Sequence, residues 1–512
     1  MNEEEQNLKQ AINIIIESGY QIDSDAFEFL KNLAQRSEIH DHLRKTIQFL
    51  ELSPDKPLFL TKDFLETHFK KMDNLSTKEE KRNYQFDSSF TPYAKEVEGN
   101  LEVLEDARDI ENSEGNIENY MNYFRDRFSR LERILRERSD VKDAVSVDKA
   151  LKTPLNKKFK TIGLIIEKKE RKNSVFIRVE DYESNITFLV PSTSDKALFD
   201  KTRKLFIDQI LCVEAIKIKE NVFIAKDFIS PDIPERKPKT SNEPLYAIFT
   251  SDLHIGSKRF LTDTFNRFIS WLKGRNGNGF QKEIASRVKY LIIAGDIVEG
   301  IGIYPGQEKD LEKIDIYEQY NDASDLIEEI PEYIKIIITP GNHDATRQAL
   351  PQPAILEKYA KPLYNLKNVT MLGSPARIRI SGVEILVYHG RSLDDIIGSV
   401  PDVTYLNLSN EITGAMKYLL KMRHLAPIYG SKTPIAPGIN DQLVINTPPD
   451  ILHMGHVHVI GYERYRGTLL INSGTWQQQT EFQEKMGIVP NPGIVPIVDL
   501  KNLNIIPINF IG

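Results

Sequence analysis

Five short apolar runs, at residues 246–250, 288–294, 334–339, 383–388 and 451–454, each stop at a block carrying histidine, aspartate or asparagine. The runs are almost unbroken in aliphatic residues, the pattern of strands covered on both faces of a sheet. Helical segments separate them, so the sequence predicts an α/β domain whose polar blocks sit in loops at strand ends, where such folds build their sites. The blocks are Asp252-Leu253-His254, Gly295-Asp296, Gly341-Asn342-His343-Asp344, Tyr388-His389-Gly390 and Gly455-His456-Val457-His458, and seven of the chain's ten histidines lie between His254 and His458. Hard oxygen donors and imidazoles converging from separate strand ends suit two neighbouring divalent ions. Metal-assisted phosphoester chemistry is the expected activity.

The remainder of the chain limits what surrounds this site. At 512 residues several domains are needed, from the usual size of about 100–200 residues each. Cys212 is the only cysteine, which excludes an internal disulfide and a thiolate metal cluster. No stretch approaches the roughly 18–20 apolar residues of a membrane span, and no charged-then-apolar leader opens the chain, so a soluble, cytoplasmic protein without membrane contact is expected. The net charge of -7 argues against wholesale coating of nucleic acid and leaves local basic surfaces open.

Upstream of the strand-and-block pattern the period changes several times. Residues 1–72 show helical spacing (Leu8, Ile12, Ile15, Ile16) that stops at Pro54 and Pro57, which predicts a small helical module. Residues 73–115 turn polar and acidic, the composition of a flexible linker. Over 116–150, Ile117, Met121, Phe124, Phe128, Leu131 and Leu135 make one apolar stripe of an arginine-rich amphipathic helix whose arginines read as a solvated face. Five short strands within 151–230, at 161–166, 174–179, 186–190, 209–216 and 222–224, predict a small Greek-key barrel of the oligonucleotide/oligosaccharide-binding (OB) kind. Phe176, Tyr182 and Phe188 there are either a nucleic-acid face or core and turn residues. A proline-bearing tether over 231–244 leads into the last domain, 245–512.

The order of the blocks, Asp-x-His, Gly-Asp, Gly-Asn-His-Asp, His-Gly and Gly-His-x-His, resembles the calcineurin-like metallophosphoesterases over residues 246–510. That resemblance implies a two-sheet sandwich core. It also implies one ion on Asp252, His254 and His458, a second on Asn342, His389 and His456, and the Asp296 carboxylate bridging both. It makes His343 the candidate general acid and gives Glu299, three residues after the bridging aspartate, the role of orienting it. Arg347 and Arg391 follow ligand blocks closely enough to clamp substrate phosphate. Asp344, His424 and His453 read as structural. The donor set favours manganese, with iron or zinc open.

Pro340-Gly341-Asn342-His343-Asp344 continues into Arg347-Gln348-Ala349 and Pro351-Gln352-Pro353, and Arg423-His424-Leu425-Ala426-Pro427-Ile428-Tyr429-Gly430 follows. With the order barrel then phosphoesterase, these segments resemble the small subunits of archaeal family D DNA polymerases over residues 116–510. The resemblance implies a 3′–5′ exonuclease that proofreads mispaired primer ends. It implies as partners a large catalytic polymerase subunit, primer-template DNA with single-stranded 3′ ends, and further replication factors at the N-terminal module. A catalytically silent scaffold and a stand-alone repair nuclease or phosphodiesterase are the alternatives.

Overall fold

The structure, a computed structural model, describes residues 90–107 and 115–511 without a break, and residues 8, 11, 12, 15, 21, 22, 24–33, 43, 46, 59–62, 65 and 66. The chain divides into two compact units, residues 1–89 and 90–512. In the first, helix Ser24–Leu33 buries Ala26 and Leu30 with Ala11, Ile15, Leu43, Leu60 and Leu65. Gln21–Ile22 pairs in parallel with Phe59–Leu60, a strand pair that the expected all-helical module did not include. Ile16, Pro54 and Pro57, on which that expectation drew, lie outside the described residues.

The second unit holds two six-stranded sheets packed face to face. The first sheet runs Val369–Met371, Lys335–Thr339, Val288–Ala294 and Tyr246–Thr250 in parallel, and the C-terminal hairpin Ile494–Asp499 and Asn504–Asn509 extends it with Ile494–Asp499 antiparallel to Tyr246–Thr250. The second runs Ile460–Tyr465, Thr468–Ser473, Ile451–Met454, Val383–Val387, Ala376–Ile380 and Leu101–Asp106. Because side chains alternate across a strand, Ala247, Phe249, Ile292 and Ile337 meet Ile378, Ile385, Val387 and Ile471 between the sheets. Their neighbours Ile248, Leu291, Ile293 and Ile338 instead meet Phe265, Ile284 and Tyr320 of the helices Thr262–Leu272, Gly279–Arg287 and Ile316–Glu328. All of Val288–Ala294 is buried, which accounts for its unbroken apolar sequence. Leu393–Ser399 and Leu408–Met422 cover the outer face of the second sheet over Leu386, Leu452 and Leu470.

A closed five-stranded barrel precedes the sandwich: Lys158–Arg171, Ser174–Glu180, Asn185–Pro191, Ile210–Lys219 and Val222–Ile229, neighbouring in the order first, second, third, fifth, fourth. Its interior is filled by Ile165, Val175, Ile177, Phe188, Val213 and Phe223. Phe188 is thus core, while Tyr182 is exposed and packs against Phe128 with ring centroids 4.8 Å apart. The helix Lys196–Arg203 between the third and fourth strands was not anticipated from the sequence.

Three expectations need correction. The flexible linker over 73–115 fails at residues 90–107, where Tyr93–Glu96 is helical and Leu101–Asp106 pairs antiparallel with Ala376–Ile380 as the sheet's edge; residues 73–89 and 108–114 are outside the described set. Half of that strand is exposed and none of it is fully buried; backbone pairing, charge, as between Arg379 and Glu102 at 2.5 Å, and the packing of Leu101 on the core hold it, so it carries little hydrophobic signal. The arginines of helix Ile117–Arg136 are not all solvated. Arg127 is buried and pairs with Asp441 at 2.6 Å, and Tyr123 and His424 reach the same carboxylate at 2.7 and 2.8 Å. One face of this helix therefore docks on the sandwich, while Phe128, Leu131 and Leu135 pack with Ile162, Ile210 and Cys212 of the barrel. The 231–244 tether is pinned along its length, with Arg236 against Asp450 at 2.7 Å and the Ser241 amide donating to the Leu500 carbonyl.

Candidate metal centre

The site forms where parallel strands of both sheets end on the same side, the usual place for a site in an α/β sheet. Asp252 and His254 follow Tyr246–Thr250, Asp296 follows Val288–Ala294, and Asn342 and His343 follow Lys335–Thr339 of the first sheet. His389 follows Val383–Val387, and His456 and His458 follow Ile451–Met454 of the second. The loops are tightly made. Asp252, His254, Asp296, His456 and His458 all have φ between 52° and 74°, a left-handed conformation that costs a non-glycine residue free energy and persists where the surrounding structure imposes it. Two glycines give the carboxylates room: a Cβ on Gly341 would lie 2.1 Å from Asp296 Oδ1, and one on Gly455 2.4 Å from Asp252 Oδ2. The freed backbone then donates to those oxygens, His343 N to Asp296 Oδ1 at 2.8 Å and His456 N to Asp252 Oδ2 at 2.9 Å.

The side chains fall into overlapping groups. Asp252, His254 and His458 form one, and Asp252, Asp296 and His389 another, all of them buried; His254, Glu299 and the half-buried His343 form a third. Asp296 Oδ2 lies 3.3 Å from His389 Nε2 and 3.8 Å from His254 Nε2, so it stands between the two groups. Asn342 Oδ1 joins the second at 3.1 Å from His389 Nε2. His456 sits beside it with ring centroids 5.1 Å from His389, but its Nε2 faces Asp394 Oδ2 at 3.2 Å.

The donor chemistry fits a cation. Asp252 Oδ1 is buried with no hydrogen-bond partner, and an ionised oxygen in that state is costly unless something positive completes it. His254 Nε2 and His458 Nε2 are 3.0 Å apart, about the separation of two nitrogens at right angles around one ion with bonds of ~2.1 Å. His389 Nδ1 is 2.7 Å from the Ala294 carbonyl, which only accepts, so its proton sits on Nδ1 and Nε2 carries the lone pair a metal needs. His254 Nδ1 lies 3.0 Å from Glu299 Oε2, an ion-pair distance off the alignment of a full hydrogen bond. Burial alone would keep these rings neutral, yet for His254 the Glu299, Asp296 and Asp252 carboxylates outweigh it and raise the ring to about 9. His389 is likewise raised to about 9 against burial, chiefly by Asp296. Asp296 itself is held well below the usual carboxylate range, burial being overcome by His389, His343 and His254.

Glu299 differs from expectation. Its carboxylate addresses His254, and it is its backbone carbonyl that meets His343 Nδ1, at 2.7 Å. Gln477 and Tyr304 hold that carboxylate at 2.8 and 3.4 Å. Arg347 is tied to its own loop through the Pro351 and Ala349 carbonyls at 2.5 and 3.3 Å, and Arg391 to the carbonyl and side chain of Gln348 at 2.8 Å each. Asp344 is buried and accepts from Gly341 N and Tyr320 Oη at 2.9 and 3.1 Å, a cap for the ligand loop, and burial lifts it to about 7. Two residues went unnoticed in the sequence: Gln483, 2.8 Å from His458 Nδ1, and Asp394. Gln483 lies 25 positions from its histidine with no local signal. Asp394, in an Asp-Asp pair shortly after His389-Gly390-Arg391, could have been found by asking which nearby carboxylates are able to hold a candidate ligand ring.

The family model for the B subunits of DNA polymerases alpha and epsilon matches residues 247–459. Proteins named DNA polymerase II small subunit are 43% identical in Pyrococcus horikoshii over 77% of this chain, 40% in Pyrococcus abyssi over 83%, and 42% in Methanothermobacter thermautotrophicus over 78%. The chain spans 62%, 70% and 81% of those proteins respectively, so it falls short of two thirds of the first. A solved archaeal phosphodiesterase aligns over 52% of the chain and 99% of its own length at 15% identity, with a TM-score of 0.27 that is too low to carry the fold. The sequence identities are decisive, and the chain belongs to the archaeal DNA polymerase II small-subunit family.

Proposed function

We propose that the chain is the proofreading subunit of an archaeal replicative DNA polymerase: a 3′–5′ exonuclease of the calcineurin-like kind that hydrolyses phosphodiesters at mispaired primer ends. The observation that supports this most directly is that side chains from the five blocks meet in overlapping groups able to hold metal, with Asp296 between Asp252-His254-His458 and His389-Asn342. Asp252, His254 and His458 would hold one divalent cation and Asn342, His389 and His456 the other, with Asp296 shared; manganese suits these donors, with iron or zinc also compatible. When bound, such a pair supplies Lewis acidity to the phosphate and to the attacking water.

The chain's own groups do the rest. His343 carries its proton on Nδ1 against the Glu299 carbonyl, which leaves Nε2 to take up a proton and pass it to the departing oxygen. Burial lowers the affinity of this ring for a proton, so its charged form is a stronger acid than a free histidine. Glu299 fixes the His254 ring. Arg391, at the mouth of the ligand loop, is the candidate phosphate contact, and Arg347 shapes the loop. The barrel's first-second-third-fifth-fourth order supports an OB assignment, with a role in leading single-stranded 3′ ends to the site. The small-subunit name of the relatives supports a large catalytic polymerase subunit as partner, and the N-terminal unit is the candidate contact for further replication factors. The protein would act in the cytoplasm, at the nucleoid; among the described residues no helix is long and apolar enough to cross a membrane.

The test is digestion of matched and mismatched 3′ ends with manganese, with and without the co-purified large chain. Faster digestion of the mismatched end is expected. No digestion in either setting would leave a scaffold subunit.

A further inference from the structure

Each candidate histidine ligand has two ring nitrogens, and the structure gives one of them a partner outside the candidate ligand set. For His254, His389 and His458 that partner faces Nδ1: Glu299 Oε2 at 3.0 Å, the Ala294 carbonyl at 2.7 Å and Gln483 at 2.8 Å. Their Nε2 atoms turn to the shared centre. His456 is reversed. Its Nε2 is the engaged nitrogen, 3.2 Å from Asp394 Oδ2, and only Nδ1 remains for a cation. Asp394 is in turn fixed from its other oxygen, with Tyr405 Oη donating to Oδ1 at 2.7 Å. A carboxylate has no hydrogen to give, so His456 must present Nε2–H to it, and the neutral ring then has its lone pair on Nδ1.

We infer that Asp394 is a positioning residue for the second cation: together with Tyr405 it sets the tautomer and the angle of His456, so that this ring ligates through Nδ1. Resting on the binuclear reading above, the inference adds a residue that lies outside every ligand block and comes from the helix Leu393–Ser399, over the outer face of the second sheet. The Asp-His pair also gives this ring, 14% exposed at its side chain, a fixed partner for Nε2. Outer carboxylates of this kind raise the basicity of the ligand ring and hold its plane, and removing one typically costs about 10–100-fold in metal affinity.

The test is manganese titration of the full chain by calorimetry and by the electron paramagnetic resonance of free manganese. Wild type is expected to take two ions. Asp394→Ala should keep one at wild-type affinity and weaken the other about 10–100-fold, and Asp394→Asn, whose amide oxygen can still accept from Nε2–H, should recover part of the loss. Tyr405→Phe, which removes only the support of Asp394, should weaken the same ion by a smaller factor and serves if Asp394→Ala does not fold. Nitrogen-15 spectra of the His456 ring should show the proton on Nε2 in wild type and a mixture of tautomers in Asp394→Ala, a change that a merely structural residue would not cause. Two ions bound with unaltered affinity in Asp394→Ala and Tyr405→Phe would overturn the inference while leaving the binuclear reading intact. If wild type binds no manganese, it is the binuclear reading that fails, and this inference falls with it.

Discussion

His343 packs beside the His254 ring, with centroids 4.7 Å apart, but its Nδ1 hydrogen bond goes to a backbone carbonyl, so its role as an acid and a role as a ligand can be told apart. His343→Ala is expected to lower exonuclease turnover by about 10²–10⁴-fold, the usual contribution of a positioned acid, with two manganese ions still bound; loss of the ions would instead make it a ligand. The paired rings give a pH prediction. His254 and His389, raised to about 9, hold protons that a cation must displace, so manganese affinity should fall as the pH drops below about 9. For folding the sign is opposite. A raised histidine stabilises the fold fully below its unfolded value near 6.5 and loses that contribution as the pH climbs through about 9. Melting curves in chelator should therefore show stability declining over that window, and saturating manganese should remove the decline. Which blocks converge was legible, because they follow strands within two to four positions; the candidate ligands within them came from the resemblance. Their partners were not: Glu299 was read as serving His343 through its carboxylate, and only the folded loop shows that the carboxylate turns to His254.

At the level of the element, helix Ile117–Arg136 joins barrel to sandwich, and the joint is charged. Asp441 accepts from Arg127, Tyr123 and His424, with Arg127 and Asp441 shielded from water. Asp441→Ala would leave Arg127 buried without its counter-charge, and about 3–5 kcal/mol of stability should be lost in denaturant titration; a change under ~1 kcal/mol would mean that water reaches the guanidinium. Asp441 is held far below its ordinary value, burial being outweighed by Arg127 and His424, so its contribution is present above about pH 4 and fades in acid. The apolar stripe of this helix was legible at its 3.6-residue period, whereas the buried Arg127 was indistinguishable from five neighbouring arginines. Strand Leu101–Asp106 was missed for a related reason: an exposed edge strand has no apolar alternation, and its partner Ala376–Ile380 lies some 270 positions away.

Over the whole molecule the order barrel then α/β domain could be read from changes of period, since buried strands and amphipathic helices announce themselves locally, whereas the two-sheet sandwich was implied by the resemblance. What periodicity could not supply was how the pieces lock, as with the pinned 231–244 segment; the C-terminal strand, turn and strand over 487–510 did read as closing a sheet edge, and the hairpin ends the first sheet. Cation binding should also register at this scale, since a ligand held only by the folded state stabilises it by about 2.7 kcal/mol at a hundred times its dissociation constant. A rise in melting temperature with manganese and none with magnesium would support the imidazole-rich donor set.

The candidate donors divide four to three across the seam of the molecule: Asp252, His254, Asp296 and Asn342 grow from one sheet, His389, His456 and His458 from the other. Whatever is gripped there fastens two layers joined mainly by greasy contact and a few hydrogen bonds, such as His389 to the Ala294 carbonyl, like a clasp on a folded book. Amide exchange deep in Val288–Ala294 and Val383–Val387 should accordingly slow together when the clasp is shut, though neither strand touches the cation.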